Sequence, residues 1–262
     1  MALDIPSAGA IHVVGVKKTY PGADRPALDG IDVRVEPGTV CALLGANGAG
    51  KTTLVRTLTT LTGKDAGTAS VNGWDVDREP EQVRASIGVV GQYAALDDVL
   101  TAQANLQLFA RLVGLSRADA RRRSVELLEL AGLVAAAGRP VAGFSGGMRR
   151  RLDLVASMIT RPAVLFIDEP TTGLDPIARH GIWEAVRSLV AEGTTVLLTT
   201  QYLEEADGLA DNVVILREGQ VLAEGTPEKL KALVGPARME LREPTLEDVY
   251  LLLHRSQPGA VA

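Results

Sequence analysis

The stretch GANGAGKT at positions 45–52 constrains this chain more than any other. It matches G-x-x-x-x-G-K-[ST] in full, with an apolar run, TVCALLG (39–45), before it and a helical pattern after it. In that setting a glycine-rich turn lets successive backbone N–H groups close around a chain of phosphates. The N-terminus of the following helix adds a favourable dipole. Lys51 brings a charge to the β- and γ-phosphates, and Thr52 offers a hydroxyl to Mg2+. The alternative is a glycine-rich turn that binds nothing, and the strand–loop–helix context argues against it.

The rest of the chain supplies the scaffold such a loop needs. Strand-like runs occur at 11–20, 31–35, 39–45, 163–168, 194–200 and 212–225. Those at 39–45, 163–168 and 194–200 are nearly all apolar, as in central parallel strands covered on both faces. Helical patterns at roughly 50–61, 177–191 and 203–209 separate them, so the spacing predicts an α/β fold with a parallel core sheet. Residues 101–160 carry apolar positions at helical spacing and few strand signals, and are read as a helical insertion. Arg121, Arg122 and Arg123 within it are read as a solvated helix face.

Composition narrows the chemistry. The 262 residues carry a formal charge of −5, which gives no support to a nucleic-acid surface. The single cysteine, Cys41, allows neither an intrachain disulfide nor a cysteine zinc cluster, and is read as a small buried strand residue. His12, His180 and His254 are too far apart in sequence to suggest a metal site. No run of about 18 apolar residues occurs, so no membrane span is expected. The start MALDIPSAGA has an early acid and no basic-then-apolar pattern, so no signal peptide is expected either.

Two further stretches carry chemistry. AVLFIDEP (163–170) is an apolar strand ending in two carboxylates. Asp168 is placed to hold Mg2+, directly or through water, and Glu169 is a candidate to polarise an attacking water. Taken alone, the pair would read as a charged strand terminus. With GANGAGKT it points to a nucleoside triphosphatase, whose catalysis rests on positioning and charge stabilisation. FSGGMRRRLDL (144–154) opens a helix with Ser145, Gly146 and Gly147, which is either an ordinary N-cap or a second anion site.

In that order and spacing these motifs resemble the ATP-binding cassette (ABC) family over about residues 10–230. The resemblance implies a RecA-like P-loop core (10–92 and 156–235) with an antiparallel β subdomain. It also implies an inserted helical subdomain (about 93–155) within a domain spanning 10–235, then a short appendage and tail (236–262). Nucleotide-binding positions carried over are Tyr20, Gly45, Ala46, Asn47, Gly48, Ala49, Gly50, Lys51, Thr52, Thr53 and Gln92. Tyr20 in KTYPG matches the residue that stacks on adenine, though a packed strand-end tyrosine is the plain reading. Gln92 in VVGQYAALDD matches the glutamine that touches Mg2+ and water, so the implied metal set is Thr52, Gln92 and Asp168. Tyr93 to Asp98 match a segment facing a membrane partner. FSGGM departs from the usual LSGGQ at Phe144 and Met148, while Ser145, Gly146 and Gly147 match. Asp175 in TGLDP matches the loop that contacts an opposing subunit. In the family the SGG of one cassette closes on ATP held by another. The resemblance therefore implies an ATP-dependent dimer, ATP and Mg2+ as cofactors, and no nucleic-acid partner.

LLTTQYLEEAD (197–207) places Gln201 where the family usually has a histidine near the γ-phosphate. Glutamine still donates a hydrogen bond but carries no proton at neutral pH, so proton handling falls to Glu169 or the substrate. TTQYLEEAD, SGGMRRRLDL and IDEPTTGLDP together resemble the daunorubicin/doxorubicin-resistance subgroup, in which this glutamine is usual. PTLEDVYLLL (244–253) resembles the end of the same subunits. The implied function is the ATPase subunit of an exporter of drug-like or natural-product compounds. It would act with a separately encoded integral membrane permease, at the cytoplasmic face of the cell membrane. A cassette for another cargo (lipid, polysaccharide, ion), or a soluble non-transport ABC ATPase, are the competing readings.

Overall fold

The structure, a computed structural model, describes residues 9–91 and 95–235. The chain opens with an antiparallel pair, β1 (Ile11–Lys18) and β2 (Leu28–Val35), then enters β3 (Val40–Leu44). The loop after β3 leads into α1 (Lys51–Leu58). Next come β4 (Ala66–Val71), β5 (Trp74–Asp75), α2 (Pro80–Ser86) and β6 (Ile87–Val90). Three helices follow: α3 (Ala102–Leu112), α4 (Arg117–Leu130) and α5 (Gly146–Ala156). The chain returns through β7 (Val164–Asp168), α6 (Pro176–Ala191), β8 (Thr195–Thr200) and α7 (Leu203–Leu209). It ends with β9 (Asn212–Arg217), β10 (Gln220–Gly225) and α8 (Pro227–Ala232).

Two sheets result. The smaller is antiparallel, in the order β2-β1-β4-β5. The larger runs β10-β9-β3-β8-β7-β6, parallel throughout except for the β9–β10 hairpin. This is the α/β arrangement with a parallel core sheet that the apolar strands predict, and the P-loop core with an antiparallel β subdomain that the family resemblance implies. Side chains alternate between two cores. Ala42, Leu44, Ile167 and Leu198 face the helical layer, while Cys41, Leu43, Phe166 and Leu197 face α1 and the smaller sheet. Covering both faces is why these strands read as unbroken apolar runs. Burying a residue such as Phe166, which has no exposed surface, contributes about 1.5–3 kcal/mol.

Helix starts follow local chemistry. The side chains of Thr101, Ser116, Ser145, Asp175 and Thr226 each accept a backbone N–H three residues on, capping α3, α4, α5, α6 and α8. Such caps are each worth about 1 kcal/mol.

The structure corrects the sequence reading in three places. The run 212–225 is not one strand. Glu218 and Gly219, at φ 51° and 77°, turn it into the β9–β10 hairpin. Residues 66–90, where the sequence patterns assign no strand or helix, hold β4, β5, α2 and β6. β4 is half exposed and β6 only four residues long, so pairing with β1 and β7 makes them strands. Finally, Arg123 does not lie on a solvated face. Its guanidinium donates to Met158 O at 2.6 Å and pairs with Glu126 at 3.0 Å, while Arg121 and Arg122 are exposed. Cys41 is buried, and its thiol is pushed up to about 12 by loss of solvent. No helix among the described residues is long and apolar enough to cross a membrane.

Candidate active site

Register sets the site. β3, β8 and β7 run parallel with Leu44 opposite Thr200 and Asp168 opposite Thr199. The residues that follow each strand, Gly45, Gln201 and Glu169, therefore leave the same carboxyl edge. That edge is where open α/β sheets hold ligands. Gly45 N donates to Thr200 O at 3.2 Å and Glu169 N to Thr199 O at 3.2 Å, which ties the three strand ends together.

The loop 45–50 is shaped for close backbone approach. Gly50 has φ 109°, and a Cβ there would lie 2.6 Å from Ala27 O, so only glycine fits. Ala49 and Gly50 are buried, while Ala46, Asn47 and Gly48 face solvent. Gly219 N donates to Ala49 O at 3.0 Å and Asp29 N to Gly219 O at 2.7 Å. The loop is thus pinned between the smaller sheet and the hairpin turn.

Lys51 is 4% exposed. Its ammonium donates to Gly45 O at 2.7 Å and Ala46 O at 3.3 Å, and lies 3.7 Å from Glu169 Oε1. A buried cation held mainly by neutral carbonyls suits an incoming anion, because a buried charge demands a partner. Thr52 Oγ1 is 3.3 Å and 3.4 Å from the Asp168 carboxylate oxygens. Thr199 Oγ1 donates to Asp168 Oδ1 at 2.5 Å and accepts from Glu169 N at 3.0 Å. Hydroxyl and carboxylate oxygens are the hard donors Mg2+ takes. No group of three or more His, Cys, Asp or Glu gathers among the described residues. Thr53 lies in the first turn of α1, where its carbonyl accepts from Thr57 Oγ1 at 2.9 Å.

Glu169 has φ 48°, a left-handed conformation disfavoured for a residue with a side chain. Its carboxylate also meets Thr172 Oγ1 at 3.3 Å. Arg150, on α5, donates to the carbonyls of Asp168 (3.0 Å), Glu169 (3.3 Å) and Pro170 (3.0 Å). Neither Thr199 nor Arg150 stands out in the sequence as a site residue. Thr199 sits inside an apolar strand, and Arg150 is one of three consecutive arginines.

A cavity of about 730 Å3 flanks the loop, lined by residues 45–49, Gln201, Leu203 and the β9–β10 hairpin. Gln201 is exposed there, one residue beyond β8. Lys51, Thr52, Asp168 and Glu169 do not line this cavity, so it adjoins that cluster of charged and hydroxyl groups rather than containing it. Tyr20 is half-buried beyond β1, with Lys18 Nζ 5.8 Å from its ring centre. Ser145 and Gly146 are exposed at the start of α5, and Ser145 Oγ accepts from Met148 N at 3.3 Å. Gly147 is buried against α6, where a Cβ would come within 2.7 Å of Ala178 Cβ. Asp175 is exposed and caps α6 by accepting from Ala178 N at 2.9 Å. Gln92 and Tyr93, like the segment PTLEDVYLLL, lie outside the described residues.

Comparison with known proteins agrees with this geometry. The ABC transporter family model matches residues 28–172. The chain is 56% identical over 232 residues to the daunorubicin resistance ATP-binding protein DrrA2 of Streptomyces coeruleorubidus. That match covers 88% of this chain and 71% of the relative. It is 45% identical over 226 residues to the Nod factor export ATP-binding protein I of Ralstonia nicotianae, covering 86% of this chain and 70% of that one. Among solved structures, an ATP-binding subunit of an ABC transporter superposes with a TM-score of 0.74 at 31% identity. That superposition covers 94% of this chain and 99% of the other.

Proposed function

Since this chain belongs to the ABC transporter family, we propose that it hydrolyses ATP to drive export of a drug-like or natural-product compound through a separately encoded membrane permease. One observation carries the catalytic part: at one sheet edge Thr52 meets the Asp168 carboxylate, and Lys51 lies 3.7 Å from the carboxylate of the adjacent Glu169. The identity to a daunorubicin-resistance subunit supports the cargo class.

The roles follow from the chemistry of each group. The backbone N–H groups of 45–50 and the Lys51 ammonium bind the phosphates, with Thr53 beside them in the first helical turn. Tyr20 stacks on the base. Thr52 and Asp168, with Gln92, would hold Mg2+, whose charge would offset that of the phosphate oxygens. Glu169 orients and polarises the attacking water, a contribution of about 10²–10⁴-fold. Gln201 donates its amide N–H to the γ-phosphate and reads its presence without exchanging a proton. Ser145, Gly146 and Gly147 serve the nucleotide of a second copy, and Asp175 meets that copy across the interface. Residues 93–155 form a helical subdomain within the 10–235 domain, leaving 236–262 as an appendage. The site of action is the cytoplasmic face of the membrane, and no nucleic acid is involved.

A second cargo class has its own support, because the chain is also 45% identical to a Nod factor export subunit. A pull-down of Glu169→Gln with MgATP from the native membrane fraction tests the transporter reading. Co-purification of a polytopic membrane protein is expected, and transport assays on that partner then separate the cargo classes. Recovery of soluble proteins or nucleic acid alone would overturn it.

A further inference from the structure

We propose that Arg150 is the positioning residue that sets the Glu169 carboxylate, and that it links this setting to the helix bearing Ser145 and Gly146. This inference rests on the reading of Glu169 given above. Arg150 is 9% exposed, and its guanidinium is spent on backbone carbonyls. Nη2 donates to Asp168 O at 3.0 Å and Glu169 O at 3.3 Å, and Nε to Pro170 O at 3.0 Å. Nη1 donates to Gly91 O at 2.6 Å, and lies 3.4 Å from Asp153 Oδ2.

Three consecutive carbonyls held by one planar fork fix the peptide planes on both sides of Glu169. Those planes define the φ of 48° that this residue adopts against its own preference. The amide end of Glu169 is held separately by Thr199 O and Oγ1, at 3.2 Å and 3.0 Å. Amide and carbonyl are therefore clamped from opposite sides, which leaves the side chain one direction of departure. The fourth carbonyl, Gly91 O, is the last described backbone group before Gln92. One side chain on α5 thus touches the chain entering the Gln92 segment and the chain leaving β7. Any shift of α5, whose first turn carries the exposed Ser145 and Gly146, reaches Glu169 through these bonds. Lysine would substitute only in part, because one ammonium cannot span all the carbonyls that five donors in a fork reach.

The test measures ATP affinity and kcat on the full chain for Arg150→Gln, Glu169→Gln and the double variant, with Arg150→Lys as a gentler probe should the glutamine variant fold poorly. The expected result for Arg150→Gln is a kcat lower by on the order of 10- to 100-fold, with ATP Kd nearly unchanged. Arg150→Lys lowers kcat by less, again with Kd preserved. In the Glu169→Gln background, Arg150→Gln costs nothing further, because the carboxylate it positions is already gone. Losses that multiply in the double variant, or a Kd that weakens in step with kcat, would overturn the proposal and make Arg150 a packing residue. An unchanged kcat in Glu169→Gln alone would overturn both this inference and the reading of Glu169. Normal loss there with additive loss at Arg150 overturns only the inference.

Discussion

Glu205 shows how much a single buried side chain constrains this site. It is fully buried in α7, four residues after Gln201, and Trp183 Nε1 donates to its Oε1 at 3.3 Å. Burial raises its carboxyl above the ordinary range, and the polar groups around it, Trp183 Nε1 among them, only partly offset that rise. A folded carboxyl that titrates above the unfolded one contributes stability that is fully present below the unfolded value. That contribution is lost as pH rises through the folded value. Glu205→Gln removes the titration while keeping the shape. Thermal melts of both proteins across pH 4 to 8 should therefore show Gln gaining on the wild type as pH rises. A constant difference across that range would mean that Glu205 titrates alike in both states. Glu169 is the opposite kind of residue, since its backbone geometry rather than its burial is the unusual feature.

Among the elements, α5 does two jobs with one short sequence. Its exposed first turn offers Ser145 and Gly146, and its next residue makes the packing against α6 possible. A methyl group on Gly147 would meet Ala178 Cβ at 2.7 Å, tighter than any ordinary contact. Gly147→Ala should therefore destabilise the fold by about 1–3 kcal/mol, the usual cost of overpacking. Adding Ala178→Gly should return part of it, because the two changes share one contact. Denaturant melts of the two single variants and the double variant check this; purely additive losses would contradict it. The same pair separates a packing role for Gly147 from a role toward a second copy. If ATPase activity stays low once stability is restored, the glycine serves both.

For the whole molecule, the exposed Ser145 and Gly146 and the glycine-rich loop 45–50 belong to one chain but sit on different elements. If two copies pair head to tail, each composite site draws its loop from one chain and its SGG from the other. A mixing experiment tests this. Glu169→Gln disables the site a chain holds, and Gly146→Asp disables the one it completes. A Cβ at Gly146 meets only an ordinary contact with Leu174 at 3.5 Å, and the residue is exposed, so the backbone there accepts a side chain. Each variant alone should be nearly inactive. Mixed one to one before MgATP is added, they should recover roughly a quarter of wild-type activity, since half the dimers are mixed and each carries one intact site of two. No recovery would argue that each chain completes its own site.

The sequence by itself determined the parts that consecutive residues can build. GANGAGKT specifies a glycine-rich turn running into a helix because that local geometry needs nothing beyond its own neighbours. The apolar runs before it, before Asp168 and before Gln201 identify central strands because burial on two faces leaves a compositional trace. Tertiary structure decided what depends on partners distant in the chain. β4 and β6 exist as strands through pairing with β1 and β7, and their own residues carry little signal. Thr199 becomes a neighbour of Asp168 and Glu169 only through the register of β7 on β8. Arg150 differs from Arg149 and Arg151 only in the direction its helix turns it, toward four carbonyls that no linear pattern announces. Side-chain direction around a helix, and which strand edge meets which, are settled by packing. For that reason the motifs that line this sheet edge were legible in the sequence, and the side chains that pack behind them, Thr199 and Arg150, were not.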